Sequence, residues 1–351
     1  MTKRETQRDR RSRAAVRNLI CAVMLLLSFC CSFCGCTAKK EQEETFFAMD
    51  TYMSLRAQTD DGELLGQIRD GIVQLEHEIS VTEKTSAVWK LNHEGEAQMS
   101  PAALELLETA LETCGDTDGA LDITVYPVLR AWGFTTDTYR VPDAEEIGAL
   151  LGSVGWNVVR IEGDKVTVPE GTMIDLGSVA KGYAADLAAE RLKQAGVENA
   201  ILDLGGSIVT LGSRPDGNPW RVAVRAPEGD GLLGVLSSRD EAVVTSGGYE
   251  RYFEDDEGNI WWHILDPGTG YPAHSGLVSV TVVGPQGVRC DALSTALFVM
   301  GEEKACAYWR AERDFGMILV TEDGRLLVTQ DLEGRFEKDP SCAFELEVIA
   351  P

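Results

Sequence analysis

Neither of the two common nucleotide cradles is present in its working context: the 351 residues contain no GxxxxGK[ST], and the GxGxxG match "GDGLLG" at 229–234 lies between two strand-like runs and opens no helix. A P-loop hydrolase and a Rossmann dinucleotide fold therefore both lack their signature. Histidine is scarce, and the four present (His77, His93, His263, His274) form no HxH or HxxxH pair, which leaves no histidine-built metal centre. Cationic side chains are in deficit, with 32 Lys and Arg against 57 Asp and Glu and a formal net charge of -25. The first 35 residues carry seven Lys/Arg against two Asp/Glu, a net +5, so the remainder carries -30. A body so charged repels nucleic acid and anionic head groups, and an anionic ligand needs a local cation, helix N-termini or a metal to enter it. Of nine cysteines, five fall within the first 36 residues, and the others (Cys114, Cys290, Cys306, Cys342) are far apart without CxxC spacing. No zinc site follows, and buried free thiols are expected.

Only one long apolar run exists, "LICAVMLLLSFCCSF", behind the basic "MTKRETQRDRRSRAAVRN". It is short and early for a spanning helix and reads as a secretory signal over residues 1–35. Gly35-Cys36 at its end looks like a lipobox, although Phe33 and Cys34 stand where Leu and a small residue are usual. The expectation is a lipid anchor on Cys36, a charged tether over 36–44, and a folded domain over 45–351 on the extracytoplasmic face of the cell membrane.

From Thr45 onward the composition is evenly globular. "TFFAMDTYMSLRA" alternates as a first strand, "GELLGQIRDGIVQLEHEI" has helical apolar spacing, and "SPAALELLETALETC" opens with a Ser N-cap and Pro at the first helical position. "DAEEIGALLGSV" predicts a short helix, and "VAKGYAADLAAERLKQAG" a long one ended by Gly196. "NAILDLGGSIVTLG" predicts strand, glycine turn and strand. A run of strands follows, then helical "RCDALSTALFVMG" and "EEKACAYWRAE", then the hairpin "FGMILVTEDGRLLVT". Helices interrupt strand runs without alternating regularly, which favours an α+β fold with mixed or antiparallel sheets over a doubly wound parallel sheet.

Several stretches carry chemistry. In "IDLGSVAKGYAADLA", Asp175 ends an apolar strand, Gly177 permits a sharp turn, Ser178 opens a helix, and Lys181 sits near its start. A cation there disfavours the helix unless an anion such as a diphosphate is also present. Asp291 and Thr295, at i and i+4, share one helix face. Their hard oxygens suit Mg²⁺, and an aspartate near a helix start is equally an ordinary cap. "GALDITVYPVLRAWGF" joins a buried-looking strand to Tyr126, Trp132 and Phe134, an aromatic group read as core. "HILDPGTGYP", residues 263–272, is a stiff, shaped loop leaving a strand, where Asp266 either serves a ligand or binds its own backbone. Together the stretches ask for a ligand with phosphates, a flat ring and a hard divalent cation.

Taken in order, the motifs resemble those of the ApbE family of flavin transferases. The resemblance runs from about Phe46 to Val328 through "FAMDT", "LDITVYPVLRAWGF", "DLGSVAKGYAAD", "DLGGSIV", "TSGGYERY", "HILDPGTGYP" and "CDALSTALFVMG". It implies an FAD:protein FMN transferase that moves FMN from FAD through a phosphoester bond to a Thr or Ser of an acceptor flavoprotein subunit, with Mg²⁺ and release of AMP. It places FAD binding on Met49, Ala120, Leu121, Asp122, Asp175, Lys181 and the backbone at Leu265. Metal ligation falls on Asp291 and Thr295, with Ser178 and Ser294. His263, Asp266 and Asp291 are the candidate bases, with His263 preferred. Two positions depart from the family pattern: Asp50 replaces a glycine, and Gly268 a frequently basic residue. The same site admits a Mg²⁺-dependent FAD pyrophosphatase or a lipoprotein that only binds flavin.

Overall fold

A hairpin opens the fold. In the computed structural model, which describes residues 39–351 apart from 137, 228 and 230, β1 (Glu41–Ala48) pairs antiparallel with β2 (Thr51–Gln58). The stretch expected as one strand is thus two. Met49 and Asp50 both take positive φ, 48° and 59°, the left-handed pair that a two-residue type I′ turn requires. The tether expected to reach residue 44 gives up 41–44 to β1, because the acidic run also alternates as a strand. There Glu43 meets Arg56 at 3.2 Å and Glu44 pairs with Arg69. The expected signal segment and Cys36 lie outside the described residues.

β1 and β2 form one edge of a nine-stranded sheet. The order continues through β6 (Ala200–Leu204), β7 (Ser207–Leu211), β10 (Ala242–Gly247), β13 (Leu277–Gly284), β14 (Gly316–Thr321), β15 (Arg325–Thr329) and β17 (Glu345–Ile349). Every neighbouring pair is antiparallel except β15 and β17. The main core includes buried faces of α1 (Leu64–Ile79), α2 (Ala87–Glu94), α3 (Pro101–Asp116), α6 (Gly177–Gln194) and α7 (Gly287–Glu312), packed with Leu55, Leu202, Val244, Val280 and Leu319 of the sheet. A second core joins Val243, Val283, Ile318 and Val328 to Val222 of β8 (Trp220–Arg225), Leu233 of β9 (Leu232–Ser238) and Phe336 of β16 (Phe336–Lys338), a separate three-stranded sheet. Helices on one side and strands on the other make the expected α+β fold.

A third, smaller core is aromatic. Trp132 and Phe134 are fully buried with Val128, Ile147 and Leu265, between α4 (Tyr126–Trp132), α5 (Ala144–Leu151) and the hairpin of β11 (Tyr252–Glu254) and β12 (Ile260–Trp262). The aromatic group is core, as expected, but its approach is not a strand. Asp122 accepts from Thr124 N at 2.8 Å and from its hydroxyl at 2.6 Å, which folds Ile123–Val125 into a 3-10 turn, and Pro127 near the start of α4 continues it as a helix. The two helices expected at 289–312 meet end to end in α7, with Gly301 (φ 76°, ψ 171°) as the break between them.

Candidate active site

The approach to α6 is pinned on both sides. Asp175 N–H donates to Ile123 O at 2.9 Å, and Ile174, one residue earlier, is held at both backbone groups by Asn92. Asp175 Oδ1 accepts from Gly177 N at 2.7 Å, so α6 begins at Gly177, one residue before the Ser178 start expected. Burial pushes the Asp175 carboxyl up, while that hydrogen bond, Arg251 and Lys181 pull it down.

Near that start, α6 and α7 exchange carboxylates. Asp186 of α6 accepts from Gly287 N at 2.7 Å and Val288 N at 2.9 Å, capping α7. Asp291 of α7, only 4 % exposed, accepts in return from Gly182 N at 2.8 Å. Asp186 thus places an anion at the N-terminus of α7, where the helix dipole favours it, while Asp291 bonds the backbone of α6 in its second turn. The exchange needs backbone contact, and glycine allows it at both positions: a Cβ on Gly182 would lie 2.2 Å from Gly287 O.

Hydroxyls line the next turn. Ser294, fully buried, donates to the Asp291 carbonyl at 2.8 Å, so its partner Ser246 at 2.7 Å must donate to it. Ser246 is then left to accept from Thr295 at 3.4 Å. The hydroxyl protons run from Thr295 through Ser246 and Ser294 to a carbonyl, which leaves the Thr295 oxygen free to act as a ligand. Among the described residues no three His, Cys, Asp or Glu side chains gather as a ready metal cage. The local donor set nevertheless suits a hard cation that completes its shell with hydroxyl, main-chain and ligand oxygens. It also carries excess negative charge. Glu250 lies beside Asp291, and burial together with that neighbour raises its carboxyl to about 7 against the pull of Lys181 and Arg225.

Lys181 is the electrostatic hub. Its charge acts on Asp175, Glu250, His263 and Asp291, so residues scattered over more than a hundred positions of sequence share one field. His263 is half-buried, and its pKa falls to about 4, chiefly through desolvation and further through Arg251 and Lys181. Its Nδ1 lies 3.1 Å from Arg251 O. A carbonyl only accepts, so Nδ1 carries the proton and Nε2 of the neutral ring is the free base.

The loop after His263 is built as its prolines and glycines imply. Leu265 bridges to Pro272, Trp132 Nε1 donates to Gly270 O at 2.9 Å, and Asp266 Oδ1 accepts from Gly268 N at 2.8 Å. Asp266 is therefore a turn former, the plainer of its two readings. Asp122 is similarly engaged, with its second oxygen accepting from Trp156 N at 3.0 Å. Ala120 and Leu121 precede it in a tight turn that includes Asp118 and Gly119 at positive φ. Met49 sits at the tip of the first hairpin, its N–H donating to Glu76 at 2.7 Å. Asn92, Asp186, Ser246, Glu250 and Arg251 were not singled out from the sequence. The last three lie in "TSGGYERY", where the glycine pair is the stronger local signal.

A model of the ApbE family matches residues 49–319. The FAD:protein FMN transferase of Vibrio cholerae serotype O1 is 35 % identical over 277 residues, covering 76 % of this chain and 80 % of that protein. A Klebsiella pneumoniae FAD:protein FMN transferase is 33 % identical over 296 residues, covering 82 % and 92 %. Among solved structures, the ApbE protein from Thermotoga maritima superposes with a TM-score of 0.79 at 32 % identity, covering 85 % of this chain and 100 % of that one. The apo form of Pseudomonas stutzeri flavinyl transferase ApbE gives 0.77 at 31 % identity, covering 86 % and 98 %.

Proposed function

Because the chain belongs to the ApbE family, we propose that it is a Mg²⁺-dependent FAD:protein FMN transferase, joining FMN through a phosphoester bond to a Thr or Ser of an acceptor flavoprotein subunit and releasing AMP. The observation that supports this most directly is the convergence of Lys181, Asp175, Glu250, His263 and Asp291 at the crossing of α6 and α7. Lys181, with Arg225 and Arg251 acting on the same groups, faces several buried or half-buried acids, beside a helix start and a hydroxyl ladder. That combination suits a diphosphate accompanied by a hard metal ion.

In this reading Lys181 and the first turn of α6 receive the diphosphate of FAD, and Asp175 stands beside it. Asp291 and Thr295, with Ser178, would hold Mg²⁺, whose charge offsets that of the diphosphate and of the departing AMP. The acceptor hydroxyl oxygen bonds to the FMN-side phosphorus and the phosphorus–oxygen bond to AMP breaks, AMP leaving with its electron pair. The hydroxyl proton passes to Nε2 of His263, which is neutral and unprotonated there at pH 7. A base of such low pKa is weak in isolation, and the negative charge of a bound diphosphate would raise it. A loose phosphoryl-transfer transition state also asks little of it. Ser294, whose proton is committed to the Asp291 carbonyl, steadies the ligand turn.

We further propose that the chain is lipidated on Cys36 and held at the extracytoplasmic face of the membrane, on the strength of the basic and apolar leader and Gly35-Cys36. Among the described residues no helix is long and apolar enough to cross a membrane.

Incubation with FAD, Mg²⁺ and a candidate acceptor subunit tests the activity. Flavin fluorescence that stays with the acceptor through denaturing electrophoresis is expected, lost with chelator and reduced at least a hundredfold in Asp291→Ala. Free FMN and AMP in place of labelled acceptor would make the chain a pyrophosphatase, and unchanged FAD a flavin carrier.

A further inference from the structure

Helix α2 contributes none of the residues that the family resemblance assigns to the flavin site, yet one of its side chains reaches the backbone that leads into it. Asn92 is 6 % exposed. Its Nδ2 donates to Ile174 O at 2.8 Å, and its Oδ1 accepts from Ile174 N at 2.7 Å. Those are the two bonds an adjoining strand would make. β5 (Lys165–Thr167) has already ended and α6 has not begun, so Ile174 is in no strand and its two buried backbone groups are served by this one amide. The next residue is Asp175, whose N–H is held by Ile123 O and whose carboxylate sets the first turn of α6.

The helix that carries the amide is itself firmly set. Ser86 Oγ accepts from Trp89 N at 2.8 Å at its start, and Gly95 closes its end in the left-handed region. A planar group with donor and acceptor at fixed spacing is what the task requires. Aspartate at this position would keep only the acceptor, and leucine would keep the shape alone.

We infer that Asn92 is a positioning residue for the diphosphate site. It stands in for a missing strand and fixes the register at which Asp175 and the start of α6 meet FAD. The inference rests on the transferase reading. Releasing Ile174 should let Asp175 and the Gly177 turn drift together, weakening FAD while leaving the acceptor's own binding surface intact.

The test is FAD affinity of the full chain, read by flavin fluorescence in the presence of Mg²⁺, alongside thermal unfolding and the KM values for FAD and acceptor. Asn92→Leu is expected to weaken FAD at least tenfold at 25 °C in protein with wild-type near-UV circular dichroism, raising the KM for FAD and not that for acceptor. Asn92→Asp should fall between Asn92→Leu and wild type. Ser86→Ala, which loosens the same helix without touching Ile174, should lower the melting temperature with FAD affinity held within twofold. The role is overturned if folded Asn92→Leu binds FAD like wild type, or if Ser86→Ala weakens FAD as much. Should Asn92→Leu fail to fold, wild-type affinity in Asn92→Asp overturns it equally. Wild-type chain that binds no FAD would sink the transferase reading and this role with it, whereas normal binding by both wild type and Asn92 variants sinks the role alone.

Discussion

Replacing Gly182 by alanine adds one methyl group to the interior of α6, and in an isolated helix that exchange favours the helical state by roughly 0.5–1 kcal/mol. Here the sign should reverse. The new Cβ would lie 2.2 Å from Gly287 O, 2.5 Å from Gly287 C and 2.8 Å from Asp291 Cβ. Two of those atoms are backbone and the third is the root of a side chain, so no rotamer change relieves the clash. A carbon–oxygen contact wants about 3.3 Å or more, which asks the two helices to part by roughly 1 Å. Overpacking of this kind costs about 1–3 kcal/mol. The separation also stretches the 2.8 Å bond from Gly182 N to Asp291 and the 2.7 and 2.9 Å bonds from α7 to Asp186. Each is charge-assisted and contributes about 1.5–3 kcal/mol. After the propensity gain is subtracted, a net loss of about 2–4 kcal/mol remains. Chemical unfolding of Gly182→Ala beside wild type measures it, and Mn²⁺ binding in the presence of FAD reports whether Asp291 has moved. A variant with an unchanged or higher unfolding midpoint would refute the close helix contact and the carboxylate exchange across it.

Two further outcomes follow from single residues. His263 has a folded-state pKa of about 4 against 6.5 in an unfolded chain. Between those values the unfolded chain takes up a proton that the folded one refuses, so this contribution is complete above pH 6.5 and is lost as pH falls towards 4, by at most about 3 kcal/mol. His263→Gln should flatten the acid side of the stability profile, and a histidine NMR titration should find the ring still neutral at pH 5; equal pH slopes in variant and wild type would contradict both. Asp50 has φ 59° in a turn where the family pattern has glycine, so Asp50→Gly should raise stability by about 0.5–1 kcal/mol, checked by thermal unfolding, and a loss would mean that the Asp50 side chain holds the turn.

Where the sequence carries its own punctuation, the elements are legible. Ser100 and Pro101 start α3 as their identities require, the Ser100 hydroxyl accepting from Ala103 N at 3.2 Å. Asp143 caps α5 by accepting from Glu146 N at 2.8 Å, and Gly205 and Gly206, both at positive φ, turn β6 into β7. Legibility fails where the punctuation is missing or locally overruled. The first hairpin carries Met49 and Asp50 at positive φ, with no glycine to mark its turn. Across 121–125 the β-branched residues suggest a strand, but the Asp122 side chain captures Thr124 N before any neighbouring strand can, an outcome that short polar side chains favour.

Site residues divide along the same physical line. Asp291 and Thr295 are readable as a pair because one helical turn places them together whatever else the chain does. Nothing in the spacing places Asp291 on Gly182, 109 residues away, or Asn92 on Ile174, 82 residues away; those partners exist only after α6, α7 and the main sheet have packed. Of the two readings of Asp291, the capping of its own helix start falls instead to Asp186. Asp291 Oδ2 accepts from Gly182 N inside the neighbouring helix, and that bond fixes the carboxylate that we propose as a metal ligand. A carboxylate so enclosed is costly to keep charged: burial pushes Asp291 up, and Lys181 with the N–H groups of α6 pulls it down. The -30 charge borne outside the first 35 residues adds to that cost over longer range. A divalent ion at the helix crossing would relieve it locally, so the acidity that seemed to argue against an anionic ligand instead favours one that arrives with its own metal.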